Sequence, residues 1–124
     1  MTFDLVIKNG TLIIPFTGEV KADIGVKDGK IAAIGVDLSG EKNIDARGKY
    51  VAPGAVDAHF HIGIYRPMAQ DAFEETRSSL VGGATTVISY FRTGQHYLNK
   101  TGSYKDIFPE VLDAVEGQLH TDVG

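Results

Sequence analysis

Short runs of β-branched and aromatic residues, separated by turn signals, occupy the first 50 positions of the chain. Residues 3–14 are interrupted by Asn9-Gly10, and the alternating segment 23–27 is followed by Asp28-Gly29. Such pairs are favoured in two-residue hairpin turns, because both central positions need a positive φ. The pattern therefore predicts antiparallel hairpins that form a small sheet with one solvated face.

From about residue 51 the pattern changes to alternating strands and helices. A capping box from Asp71 to Glu74 is expected to begin the first helix, which ends at Gly82. Pro109 is compatible with the second helix only in its first turn. The predicted elements are strands at 51–61, 85–90 and 119–124 and helices at 71–82 and 106–116.

This alternation is typical of a parallel sheet built from βα units, so the expected fold class is α/β. Residues 1–50 and 51–124 are expected to form separate domains. A complete (β/α)8 barrel needs roughly 250 residues, and the second segment would supply only its first strands and helices. We therefore expect a truncated barrel, in the N-terminal piece of a longer protein.

The composition excludes several classes of function. The 124 residues carry a net charge of -4 and no cysteine, so no basic stripe for nucleic acid and no thiolate metal site is present. The longest apolar runs are far shorter than the ~18 residues that a membrane-spanning helix requires. We expect a cytoplasmic protein whose metal ligands, if any, are histidines and carboxylates.

Three polar residues occupy alternate positions at the end of the first predicted barrel strand: Asp57, His59 and His61. Alternate residues of a strand project from the same face, so the two imidazoles can converge on one divalent ion. Barrel active sites lie at this carboxyl end of the strands. A His-x-His pair alone is also common among surface and core histidines, and its position after a buried strand favours the metal site.

Several motifs together resemble the cyclic amidohydrolases, which include dihydropyrimidinases, hydantoinases, allantoinases and dihydroorotases. They are residues 53–61, residues 82–87, Asn9-Gly10-Thr11 and residues 28–31. The resemblance covers essentially the whole chain and implies a metal-dependent hydrolase of cyclic amide C–N bonds. It further implies a β-sandwich, assembled from both chain ends around a TIM barrel, and a homo-oligomer, in this family a tetramer.

The resemblance also implies a centre of two divalent metals, usually zinc, in which His59 and His61 bind the more buried ion. A carboxylated lysine, two further histidines and a catalytic aspartate are expected beyond Gly124, so no catalytic residue is assigned in this chain. Asp57 either orients one of the imidazoles or is simply bonded to the backbone.

The substrate implied by the resemblance is a small cyclic amide, a dihydropyrimidine or a hydantoin. Dihydroorotases carry a carboxylate-binding arginine where this chain has Gly63, which disfavours dihydroorotate; allantoin is a further alternative. Arg66 and Arg92 are candidate contacts for an anionic substrate, and the alternative for each is a solvated loop arginine.

Other residues near the predicted strand ends are assigned weaker roles. His96 and His120 have no partner at ligand spacing and are not expected to bind metal. Aromatic residues at 65, 90 and 91 are candidates for pocket walls or for core packing. A rival of another class is a catalytically silent, dihydropyrimidinase-like oligomeric scaffold, which the presence of both histidines disfavours.

Overall fold

The computed structural model describes residues 2–90 and 101–124, and it divides the chain into two compact units, residues 1–53 and 54–124. The first unit contains β1 (Phe3–Ile14), β2 (Gly18–Lys27), β3 (Lys30–Gly35), β4 (Gly40–Asp45) and β5 (Tyr50–Val51). The second contains β6 (Ala55–Phe60), α1 (Met68–Val81), β7 (Ala84–Ser89), α2 (Tyr104–Val115) and β8 (Asp122–Val123).

The first unit is one mixed sheet of order β3-β2-β1-β4, with β5 also paired to β1. Strands β1, β2 and β3 are antiparallel neighbours, as predicted, whereas β4 and β5 run parallel to β1. The expectation of a wholly antiparallel sheet was therefore wrong. Hydrophobic alternation indicates which residues form strands but not the direction in which each strand runs. Here the chain after β3 crosses to the far side of β1, and β4 then pairs with β1 in parallel.

The predicted turn at Asp28-Gly29 is confirmed, because both residues have positive φ (51° and 71°) and join β2 to β3. The predicted turn at Asn9-Gly10 is wrong. Asn9 has φ 62°, but β1 continues through it as a bulge against β2. Asparagine tolerates this left-handed conformation, so the same residue pair serves a bulge as readily as a hairpin.

The second unit is a parallel sheet of order β6-β7-β8 with two helices, which confirms the predicted strand and helix alternation. Its core lies between the loop after β6 and the helices. The buried residues of that cluster are Ile62, Ile64, Met68, Ala72 and Val111. Full burial of such a side chain stabilises the fold by roughly 1.5–3 kcal/mol, so this core fixes the loop that follows the histidines.

Three predicted boundaries differ from the structure. The strand expected over residues 51–61 is broken at 52–54, so that β5 pairs in the first unit and β6 in the second. Helix α1 begins at Met68 after Pro67, ahead of the supposed capping box. Helix α2 begins after Ser103, whose side chain accepts a hydrogen bond from the Lys105 N–H.

Pro109 is therefore the sixth residue of α2 and not part of its first turn. Proline cannot donate the hydrogen bond that a helix interior normally makes. In the part of the chain described, neither helix is long and apolar enough to cross a lipid bilayer.

Candidate metal centre

His59 lies on β6 and His61 one residue beyond its end. Their rings face each other with centroids 5.2 Å apart and planes inclined by only 19°. His59 is exposed and His61 is half-buried. The two imidazoles thus stand side by side at the carboxyl end of a parallel strand, as the alternation of side chains predicts.

A local irregularity in β6 shapes this pair. From Asp57 to Phe60 the strand advances three positions while its partner advances two, from Val87 to Ser89. The backbone N–H of His59 donates to Oδ1 of Asp57 at 3.0 Å. Asp57 is therefore bonded to the backbone, although it is exposed and not a buried acid. Its hydrogen bond supports the irregular segment that carries His59.

Tyr90, the residue directly after β7, packs against both imidazoles. Its ring lies edge-on to His59 at 5.6 Å and to His61 at 4.8 Å between centroids. Its hydroxyl is 3.4 Å from Nδ1 of His61. Tyr90 was one of the aromatic residues considered for a pocket wall, and its contacts with the histidine pair were not predicted.

The loop after His61 turns sharply at Gly63, which is buried and has φ 77°. A Cβ at this position would lie 2.5 Å from Cε and 2.7 Å from Sδ of Met68. A larger residue here would therefore meet both an unfavourable backbone conformation and the first residue of α1. An arginine at this position would therefore have a strained backbone and would require the end of the Met68 side chain to move.

Asp71, on α1, is a buried carboxylate with 4% of its surface exposed. Its Oδ2 accepts the Gly63 N–H at 2.7 Å, and its Oδ1 lies 3.7 Å from Nε of Arg66. The sequence pattern had assigned Asp71 to a capping box, so its long-range partner was missed. A capping box and a carboxylate that binds a preceding loop give the same local sequence signal.

Arg66, proposed from the sequence as a substrate contact, is engaged with carboxylates of α1. Besides Asp71, it forms ion pairs with Glu74 and with Glu75, the latter at 3.1 Å. Arg66 is exposed and its ion pairs hold it at the helix surface, which is closer to the alternative, a solvated loop arginine, than to a substrate contact. Arg92, the other candidate, lies outside the described residues, as do Phe91 and His96.

The structure also describes two further residues named from the sequence. Tyr65 is 87% exposed. His120 packs its ring edge-on against Phe73 of α1 at 4.7 Å, and its backbone N–H donates to Oγ1 of the buried Thr76. Thr76 in turn donates to the Ala72 carbonyl, so this group ties α1 to the segment before β8.

The described residues bring together two imidazoles, the ligands that the sequence assigns to one divalent ion. Their ring centroids are 5.2 Å apart and their planes are nearly parallel. Among residues 2–90 and 101–124, no cluster of three or more histidine, aspartate, glutamate or cysteine side chains could hold a metal. The described residues by themselves therefore do not form a metal site of three or more ligands.

Comparisons with known proteins identify the family. An allantoinase from Bacillus licheniformis is 48% identical over 99% of the chain, and one from Escherichia coli O1:K1 is 51% identical over 71%. A crystal structure of D-hydantoinase matches the whole chain with 34% identity and a TM-score of 0.78. The chain belongs to the cyclic amidohydrolase family.

Two further matches agree with this assignment. The D-hydantoinase of Bacillus sp. AR9 is 27% identical over 97% of the chain, with a TM-score of 0.78. Residues 1–53 match the model of the urease alpha-subunit N-terminal domain. This cyclic amidohydrolase chain spans 27% of the Bacillus licheniformis allantoinase and 26% of the first D-hydantoinase.

Proposed function

We propose that the chain is the N-terminal part of a metal-dependent enzyme that hydrolyses a ring amide, and that His59 and His61 bind its metal. The observation that carries the proposal is the pair of imidazoles, 5.2 Å apart at the carboxyl end of β6. In a barrel this end of the strands is where catalytic residues gather.

A divalent ion, when bound, would supply hydroxide near neutral pH and polarise the amide carbonyl. His59 and His61 would hold it through their imidazole nitrogens, and Tyr90 packs against both imidazole rings. The buried turn at Gly63 sets where the chain leaves His61. By family resemblance, a carboxylated lysine, further histidines and the catalytic aspartate come from outside this chain, around a centre of two zinc ions.

The substrate class that we propose is a hydantoin or dihydropyrimidine ring. Relatives of this chain are named allantoinase and D-hydantoinase, and allantoin is itself a hydantoin with a ureido substituent. Glycine at position 63, where dihydroorotases carry a carboxylate-binding arginine, disfavours dihydroorotate; a side chain here would have a positive φ and would displace the end of the Met68 side chain. Hydantoin-type rings, allantoin included, are therefore the first substrates to assay.

We also propose the architecture that this function requires. Residues 1–53 would form the N-terminal portion of a β-sandwich, and residues from 54 the first βα units of a TIM barrel. The parallel order β6-β7-β8 and the helices after β6 and β7 support the second assignment. A homo-oligomer, tetrameric by family resemblance, and a cytoplasmic location remain predictions.

The proposal is tested in the protein expressed from its full gene, in which His59 and His61 are replaced by alanine one at a time. Each variant should lose bound zinc, and its turnover of hydantoin, dihydrouracil and allantoin should fall by more than about a hundredfold, because no other ligand replaces the lost imidazole. Ring opening is followed in the ultraviolet, and metal content is measured in parallel.

His120→Ala is the matched control, since His120 belongs to the same unit and contacts Phe73 instead of the histidine pair. It should retain both metal and activity. A wild-type protein that binds no zinc and opens none of these rings would favour the silent scaffold. Full activity in His59→Ala would show that the chemistry lies elsewhere.

A further inference from the structure

We propose that Asp71 is a positioning residue for the histidine pair, acting through the Gly63 N–H to fix the loop that leaves His61. The inference rests on the proposed function, because it assigns Asp71 a role in holding the two imidazoles ready for an ion. Asp71 does not touch either histidine in the structure; it acts on the backbone two residues after His61.

Asp71 is a buried carboxylate whose lost hydration must be compensated. Asp71 is buried, and a buried carboxylate is unfavourable unless hydrogen bonds and opposite charge compensate for its lost hydration. Its compensation comes from the Gly63 N–H at 2.7 Å and from Arg66, whose Nε is 3.7 Å away. Both partners belong to the loop between β6 and α1, so the carboxylate binds that loop at two points.

Helix capping does not account for the hydrogen bond that Asp71 accepts. An acidic residue in the first turn usually accepts from N–H groups of its own helix. Here the helix follows Pro67, no side chain caps its start, and the N–H that Asp71 accepts lies outside the helix. The contact therefore serves the loop as well as α1.

The hydrogen bond to Asp71 is made at a sharp turn of the loop. Gly63 has φ 77° between the buried residues Ile62 and Ile64. Loss of the Asp71 acceptor would leave a buried N–H without a partner at this turn, so the loop would be free to shift. His61 is two residues before Gly63, and its ring would lose its fixed distance from His59.

The test compares Asp71→Ala, Asp71→Asn and Glu75→Gln in the protein expressed from its full gene. Glu75→Gln is the matched control, because it removes a carboxylate of the same helix that pairs with Arg66 but does not contact Gly63. Zinc affinity is measured by competition with a chromophoric chelator. Ring ¹⁵N and ¹H shifts of His59, His61 and His120 are recorded in metal-free protein.

Asp71→Ala should weaken zinc binding about tenfold or more, the scale found for groups that orient metal ligands. Asp71→Asn should weaken it less, because its amide oxygen can still accept the Gly63 N–H. In metal-free protein both should shift the His61 ring signals and leave those of His120 in place. Glu75→Gln should leave both measurements unchanged.

Unchanged His61 signals and zinc affinity in Asp71→Asn and Asp71→Ala, with only a lower melting temperature, would overturn the proposal in favour of a purely structural role. If Asp71→Ala does not fold, the metal-free spectra and zinc affinity of Asp71→Asn decide. A wild-type protein without zinc affinity would refute the proposed function, while the metal-free spectra would still test the positioning role.

Discussion

At the scale of single residues, the backbone conformation of Gly63 bears on the proposed substrate class. Its positive φ and its buried position beside the end of the Met68 side chain both disfavour a side chain. The sequence shows only that glycine stands where a related group of enzymes has arginine. The structure adds the physical cost of that arginine, which is backbone strain and displacement of the Met68 side-chain end.

Gly63→Ala should therefore lower the free energy of unfolding by about 1–3 kcal/mol, the usual cost of overpacking a filled site. The matched control is Gly83→Ala, which has a similar φ (94°) but nothing within 4 Å of the added Cβ. The control should lose only the smaller backbone contribution. Thermal unfolding of both variants measures the difference.

Adding Met68→Ala to Gly63→Ala separates the two causes. Removal of the Met68 side chain should make the added methyl group cost less than it does in the wild-type background. An equal cost in both backgrounds would mean that backbone strain alone, and not contact with Met68, keeps glycine at this position.

At the scale of elements, the bulge in β1 depends on one buried carboxylate. Asp23 accepts the Asn9 N–H at 2.9 Å and the Leu38 N–H at 3.1 Å. It thereby joins the bulge to the connection between β3 and β4. Asn9 also donates through its side chain to Asp45, and this hydrogen bond is the main cause that lowers the pKa of Asp45.

Replacing Asp23 by alanine should leave both amide groups without their acceptor, at a cost of about 0.5–1.5 kcal/mol for each of these part-buried hydrogen bonds. Amide hydrogen exchange at Asn9 and Leu38 should then accelerate by about tenfold or more. Glu19→Ala, on an exposed position of β2, is the control. Unchanged exchange in Asp23→Ala would show that strand pairing alone holds the bulge.

At the scale of the whole molecule, the number of metal ligands limits the activity expected of this chain. Catalytic zinc sites usually have three protein ligands, and the described residues bring two imidazoles together. The chain also spans only about a quarter of its relatives, 27% of one allantoinase and 26% of one D-hydantoinase.

The 124-residue chain expressed alone should therefore show no ring-opening activity with zinc or manganese, whereas the protein from the full gene should. Both are assayed on hydantoin and allantoin, and circular dichroism checks that the short chain is folded. Turnover by the short chain would mean that its own residues complete a catalytic centre that we did not identify.

Local chemistry in the sequence was enough to predict the histidine pair, the Asp28-Gly29 turn and the succession of βα units. Each depends on residues a few positions apart: strand periodicity places His59 and His61 on one side, and a glycine after an aspartate satisfies two positive φ angles. The family resemblance drew on the same short motifs, and the comparisons confirm it.

Only the tertiary structure decided which distant groups meet. Asn9 forms a bulge because Asp23, 14 residues away, accepts its N–H. Asp71 binds Gly63 across eight residues, and Tyr90 reaches His61 across 29. The same local sequence is compatible with a turn or a bulge, a cap or a loop contact. The choice depends on the packing that brings an acceptor to a particular N–H, which no periodicity along the chain records.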